Sequence, residues 1–156
     1  MYAEALAWLE ASGLGQVARN SGWLFAVVNV LHVLGAALVV GGIATFDLKV
    51  IANRGEGAQE TGRVAIPLAA AGLLIQVPTG LTLLAVEARA LGTNPAFYAK
   101  LAFIALGLAN LAVFHARFGS ATHPGGSLPS SARPLAVVSL AAWTLTLIAG
   151  RMIAYL

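Results

Sequence analysis

Cysteine is absent from the chain. That removes disulfides, thiolate nucleophiles, Cys-held iron–sulfur clusters and Cys-ligated zinc from the possible chemistry. Methionine is scarce, with two residues, so the soft ligands that select copper are nearly missing too. Charge is the third shortage. Asp, Glu, Lys and Arg make up 10% of the residues, against about 25% in soluble domains. Net charge is +3, but the basic residues are scattered between apolar runs and form no nucleic-acid patch. Residues 1–20 carry Glu4 and Glu10 and lack a basic start followed by an apolar core, so no cleavable leader is visible. Insertion is then expected to rely on the first spanning helix. No Ser-His-Asp order, phosphate-binding glycine loop or His-Glu-x-x-His stretch occurs.

What fills the chain instead is apolar: 59% of the residues, with a mean hydropathy of +0.84. The apolar residues fall into long runs, which predicts an all-α protein, a four-helix transmembrane bundle forming one integral membrane domain over residues 1–156. The spans are expected at about 22–50, 64–90, 95–118 and 133–155. A short amphipathic helix at about 3–18, with Tyr2 and Trp8 near its edges, suits the membrane interface. Ser21 is a plausible cap of the first span, and Trp23 its interfacial anchor. Pro78 falls in the middle of the second span, where it should kink the helix and free a carbonyl. Asn94-Pro95 is a helix start: a capping side chain, then proline at the first helical position. The stretches Asn53–Gly62 and Gly119–Ala132 read as polar, irregular loops.

Four spans put both termini on one side. Lys49, Arg54, Arg63, Arg117 and Arg133 lie on the loop side, against Arg19 and Arg89 on the terminal side. The positive-inside rule then predicts both termini outside the cytoplasm of a bacterial inner membrane.

Each span carries one stripe of small and polar residues: Asn29/His32/Ala36, Gly72/Gln76/Thr79, Gly107/Asn110/Phe114 and Ser139/Trp143/Thr146/Gly150. Polar groups away from water need partners, so the stripes should face the bundle interior. As interhelical glue, each pair is worth roughly 0.6 kcal/mol. His32 asks for more, because an ionisable residue deep in a span is a functional candidate by default. It can be a haem or metal ligand, a proton carrier or a satisfied core histidine. Asn29 shares its helical face at a three-residue step. Gly35, Gly72 and Gly80 could make room for a flat macrocycle. Trp143 and Phe114 could line the pocket.

His115 is the obvious second ligand, but the depths differ. At 1.5 Å per residue His32 lies roughly 13 Å from the outer end of its span, and His115 roughly 27 Å from the equivalent end of a parallel one. Two axial nitrogens on one metal stand only about 4 Å apart. A haem at His32 would therefore be five-coordinate, take a non-histidine partner or bridge two protomers. His115 reads as an interfacial residue, and His123 as a solvated loop residue. At the rims, Glu87 is expected to pair with Lys100 or Arg151, and Asp47 with Arg117 or Arg133. Lys100 and Arg151 could also hold an anionic group, such as a haem propionate or a quinone-like head.

The segments Leu31-His32-Val33-Leu34-Gly35, Phe46-Asp47-Leu48-Lys49, Asn94-Pro95-Ala96-Phe97 with Lys100, and Gly150-Arg151-Met152-Ile153-Ala154-Tyr155 carry a resemblance. The chain resembles a family of uncharacterised bacterial four-helix inner-membrane proteins over nearly its whole length. That resemblance implies a four-helix fold and no particular activity. More distantly, the first span is similar to those of copper-resistance D-type proteins and of the four-helix, haem-binding protoporphyrinogen oxidases. The latter resemblance implies a haem-ligand role for His32 alone, since the tryptophan and arginine pattern that follows the histidine in that group is absent here.

The expected function is a haem-b-binding membrane protein in electron transfer or haem-linked redox chemistry. His32 is the metal ligand, and Asn29, Gln76, Trp143, Arg151 and Lys100 contribute to the cofactor site. The alternatives are a cofactor-free accessory or scaffold subunit and a small metal or solute transporter. Expected partners are the lipid bilayer and a second copy of the chain or a membrane redox partner.

Overall fold

The computed structural model describes residues 1–52, 56–119 and 128–156, and within them the chain is helical with no strand. The order is α1 (Tyr2–Glu10), α2 (Gly13–Asn20), α3 (Gly22–Ala52), α4 (Ala58–Val86), α5 (Ala88–Leu91), α6 (Pro95–Phe118) and α7 (Ala132–Met152). At 1.5 Å per residue, α3 is about 46 Å long and α7, the shortest of the four long helices, about 31 Å; each can cross a hydrocarbon core of about 30 Å. Their outward surfaces are apolar, with Leu74 78% exposed, Val64 73% and Val33 61%. A surface of that kind is at rest in lipid and prone to aggregate in water. All four long helices qualify as membrane spans by length and composition. The protein is a multi-pass membrane protein built as a four-helix bundle, as the apolar runs predict.

Glycine sets how the spans meet. The interface between α3 and α4 is closed by Gly35, Gly42 and Gly72, where an added Cβ would press on the opposite backbone: 3.1 Å from the Gly72 carbonyl oxygen for Gly35, 2.6 Å from that of Ala65 for Gly42, and 2.7 Å from that of Gly35 for Gly72. The buried line on α3 is Val28, Gly35, Val39 and Gly42, the inward stripe of a helix that is apolar on all sides. α7 packs on α3, and α6 packs on α7. Among the described residues α6 makes no comparably close backbone approach to α4. At the loop end, Val50, Ala58, Phe118, Leu128, Ala132 and Ala136 form an apolar cluster. Phe114 joins it by edge-on contacts with Phe46 and Phe118, at centroid distances of 5.7 and 5.2 Å.

Several boundaries differ from the expected ones. The peripheral N-terminal element is two helices, because Ser12 turns extended and accepts a hydrogen bond from the Gly15 N–H, starting α2 afresh. The second span starts at Ala58, inside the expected polar loop. Gly57 supplies the left-handed turn (φ 64°), and Glu60 sits in the first turn, where the helix dipole favours an acid. It runs through both Pro67 and Pro78 and ends at Val86, short of 90, because Glu87 leaves helical geometry. The N-terminal helices cap this break. Arg19 donates to the Val86 carbonyl at 2.7 Å, and the Arg89 N–H donates to the Glu10 carboxylate at 3.0 Å. Asn94 caps α6 as expected, accepting from the N–H groups of Ala96 and Phe97, and its amide also donates to the Ile153 carbonyl at 3.0 Å. α7 ends at Met152, three residues before the expected end at 155. Residues 53–55 and 120–127, with Arg54 and His123 among them, lie outside the described residues.

Candidate functional site

His32 lies about 15 Å along α3 from Gly22, half-buried on the flank of the glycine-lined stripe. Two other spans supply its contacts. From α4, Thr79 places its hydroxyl 2.9 Å from His32 Nδ1. From α6, Lys100 places Nζ 3.3 Å from His32 Nε2. Gln76, one turn before Thr79 on α4, donates its amide to the His32 backbone carbonyl. Gly80 of α4 lies against the ring, and a Cβ there would stand 3.2 Å from His32 Cε1. Gly150 of α7 supports Lys100 from behind, with a Cβ there 3.6 Å from Nζ.

The hydrogen bonds assign the tautomer. The Thr79 hydroxyl has one proton, and it donates that proton to the Ile75 carbonyl at 2.6 Å, a common helical back-bond. Towards His32 it can only accept, so Nδ1 carries the ring proton. Nε2 then holds the lone pair and accepts from the Lys100 amine. A ring fixed at Nδ1 with its Nε2 lone pair aimed at one point is the arrangement that metal-ligating histidines use.

The expected site residues divide. His32, Gln76 and Lys100 come together. Asn29 does not: the 60° offset of a three-residue step is enough to swing it off the buried stripe. It is exposed on the outer side of α3, in a shallow groove of about 430 Å³ lined by Phe25, Ala26, Asn29, Val30, Val33 and Leu34. Trp143 is buried against Gly107, where it packs α7 onto α6 two turns further along than Lys100. Phe114 belongs to the loop-end cluster. Gly35 and Gly72 leave no room for a ligand, since each is filled by the other helix; of the three glycines only Gly80 borders the ring.

The expected rim bridges are not formed. Among the described residues the ion pairs are Met1 with Glu4 and Arg19 with Glu10. Glu87 is exposed, because the helix break at that residue turns it outward. Arg151 bonds the Tyr155 hydroxyl at 2.6 Å, with its guanidinium 4.9 Å from that ring's centroid, one turn away on its own segment. Asp47 is 3% exposed, accepts a hydrogen bond from Ser139 of α7, and keeps its Oδ2 unpartnered. Arg117 and Arg133 stay at the rim, outside its reach. Asn110 does serve as glue, donating to the Leu135 carbonyl of α7 at 3.1 Å. His115 is exposed and meets neither His32 nor Lys100, as the depth argument requires.

Thr79 was visible in sequence as a member of a polar stripe, and its four-residue spacing from Ile75 was the signal for the back-bond. Lys100 was also named for the site, as a group to hold an anion, but its direct contact with the His32 ring had no signal in the sequence.

The class is thus a multi-pass helical membrane protein with a polar centre on its first spanning helix, assembled from three of its four spans. Known protein families, curated proteins and solved structures contain no match to the chain.

Proposed function

We propose that the protein binds haem b and takes part in electron transfer or haem-linked redox chemistry, with His32 as the iron ligand. The carrying observation is the ring's pair of polar contacts, Thr79 at Nδ1 and Lys100 at Nε2. Thr79 holds the proton on Nδ1, and the Nε2 lone pair points at a second nitrogen inside an apolar bundle. The donor set suits the group: an imidazole in a spanning helix, oriented by a hydroxyl, with no thiolate competitor. Lys100 Nζ occupies the ligating direction in the present arrangement, so binding requires the amine to withdraw along that line. Bound haem would supply a one-electron carrier. The chain's own residues orient the ring through Thr79, tie down its backbone through Gln76, seat it against α4 at Gly80, and exclude water with the lipid-facing spans. The likeness of the first span to those of haem-binding four-helix proteins points the same way. The setting we propose is a bacterial inner membrane with both termini outside the cytoplasm.

One observation favours a second reading, a cofactor-free accessory or scaffold subunit. Both His32 nitrogens and the Gln76 amide already have protein partners, and a satisfied polar cluster can serve as glue alone. An absorption spectrum separates the two. Protein purified from haem-replete cells is expected to show a Soret band, and His32→Ala to lose it while still inserting. A colourless preparation would refute the haem reading and leave the scaffold.

A further inference from the structure

Asp47 has no part in the centre at His32, and its place in the bundle is costly. It is the chain's one aspartate, on α3 about 8 Å from the helix end at Ala52. At 3% exposure it is sealed where α3 meets α7. Ser139 of α7 donates a hydrogen bond to it, and Oδ2 has no partner. No cation relieves it, since among the described residues it belongs to no ion pair. Lys49, two residues on, lies over Gly57. Glu60 and Arg63 on α4, His115 and Arg117 on α6, and Arg133 on α7 are exposed. Intramembrane acids are rare and are normally paired or given a specific task.

A carboxylate out of water with no counter-charge is far costlier than the neutral acid, and taking up a proton removes that charge. The neutral form keeps the Ser139 bond at its carbonyl oxygen and leaves one O–H on Oδ2. A proton also needs a way in. A cavity of about 240 Å³ lies at the loop end of the same seam, lined by Val50 of α3, Pro129, Ser130 and Arg133 of α7. A water needs roughly 10–15 Å³ of such space, so the cavity can hold several. Val50 is three residues from Asp47, on the same buried face of α3, so the carboxyl lies one turn deeper than the cavity wall. We propose that Asp47 is a proton-binding site, neutral when α3 and α7 are packed together, which exchanges its proton with loop-side water through this cavity. It stands independently of the haem reading.

The step balances without a co-reactant. On release the O–H bond of the carboxyl breaks, its electron pair stays on Oδ2, and the proton passes to water in the cavity. Nothing is oxidised or reduced. Uptake is the reverse.

The test is infrared spectroscopy of the full chain in phosphatidylcholine vesicles. In neutral buffer the wild type should show the carbonyl stretch of a protonated carboxyl. Because Asp47 is the single aspartate, protein made with aspartate carrying heavy carbon at the side-chain carboxyl should shift that band, with no mutation needed. Asp47→Asn should lack it. The band should fade in alkaline buffer, return on reversal, and move in heavy water. Ser130→Trp, at an exposed position of the cavity wall, should keep the band and slow its response to heavy water severalfold. A wild-type spectrum without a label-sensitive band means a charged carboxylate and overturns the site. A band that neither fades nor moves overturns the exchange, and an unchanged rate in Ser130→Trp overturns the route. Where Asp47→Asn fails to fold, the labelled wild type decides by the same criteria.

Discussion

Gly72→Ala tests the contact on which the bundle is built. A Cβ at position 72 would lie 2.7 Å from the Gly35 carbonyl oxygen, 2.7 Å from the Val39 nitrogen and 2.8 Å from Val39 Cγ2. Comfortable contacts between non-bonded heavy atoms are about 3.5–4.0 Å, so α3 and α4 would have to part by most of an ångström. Two of the three atoms are backbone and cannot swing aside. Overpacking of this kind costs about 1–3 kcal/mol. Replacing glycine in a helix returns about 0.5–1 kcal/mol, so the expected net effect is a loss of up to about 2.5 kcal/mol. Gly41→Ala is the matched control, because nothing lies within 4 Å of a Cβ there; only the helical gain applies. Thermal unfolding in one detergent, followed by loss of the monodisperse size-exclusion peak, reads both. Gly72→Ala should melt below wild type, and Gly41→Ala at or above it. Equal melting temperatures for the two variants would refute the argument that close backbone contact holds this helix pair.

Three other outcomes are expected. Asp47→Asn should leave the melting temperature at or above the wild-type value, because the carboxylate is buried with a Ser139 partner and an unpartnered oxygen. Ser139→Ala should lower stability by about 1–3 kcal/mol, since it strips a buried acceptor of its donor; an Asp47→Asn variant that fails to fold would reveal an unseen cation at that carboxylate. Reporter fusions should place residues 53–62 inside the cytoplasm and the C-terminus outside, and a C-terminal reporter active only in the cytoplasm would reverse the assigned orientation.

The spans were legible because apolar length is a property of local sequence. So was the Asn94-Pro95 start, since a cap acts within four residues. Boundaries set by one residue's backbone were not. Nothing in the polar composition of residues 53–62 announces that Gly57 turns the chain and lets α4 begin at Ala58. The site was half legible. His32 stood out as an imidazole in a long apolar run, and Gln76 and Thr79 as a stripe on α4. Asn29 was misplaced because the centre of the buried stripe cannot be located to within 60° from one helix alone. The rim bridges were misassigned for a related reason. Depth along a span orders residues by height but does not show where a helix breaks or which side chain turns inward: Glu87 is exposed where α4 ends, and Asp47 is buried against Ser139 of α7. Lys100 was expected at the site as an anion holder, and its contact with His32 follows from how α6 and α3 both pack on α7.

Because α3 closes on α4 and α6 on α7, the chain is two helical hairpins joined along one seam, α3 against α7. Each hairpin is made of neighbours in sequence, so its contacts span fewer residues than those of the α3–α7 seam. The first hairpin brings together the imidazole, the hydroxyl that fixes its proton, and the amide that ties down its backbone. The amine arrives with the second. The first hairpin alone carries every partner of His32 except the amine at Nε2, so the centre is complete only with the second hairpin in place. The contact between His32 and Lys100 is therefore a molecular record of assembly, present only in a chain whose two halves have found each other.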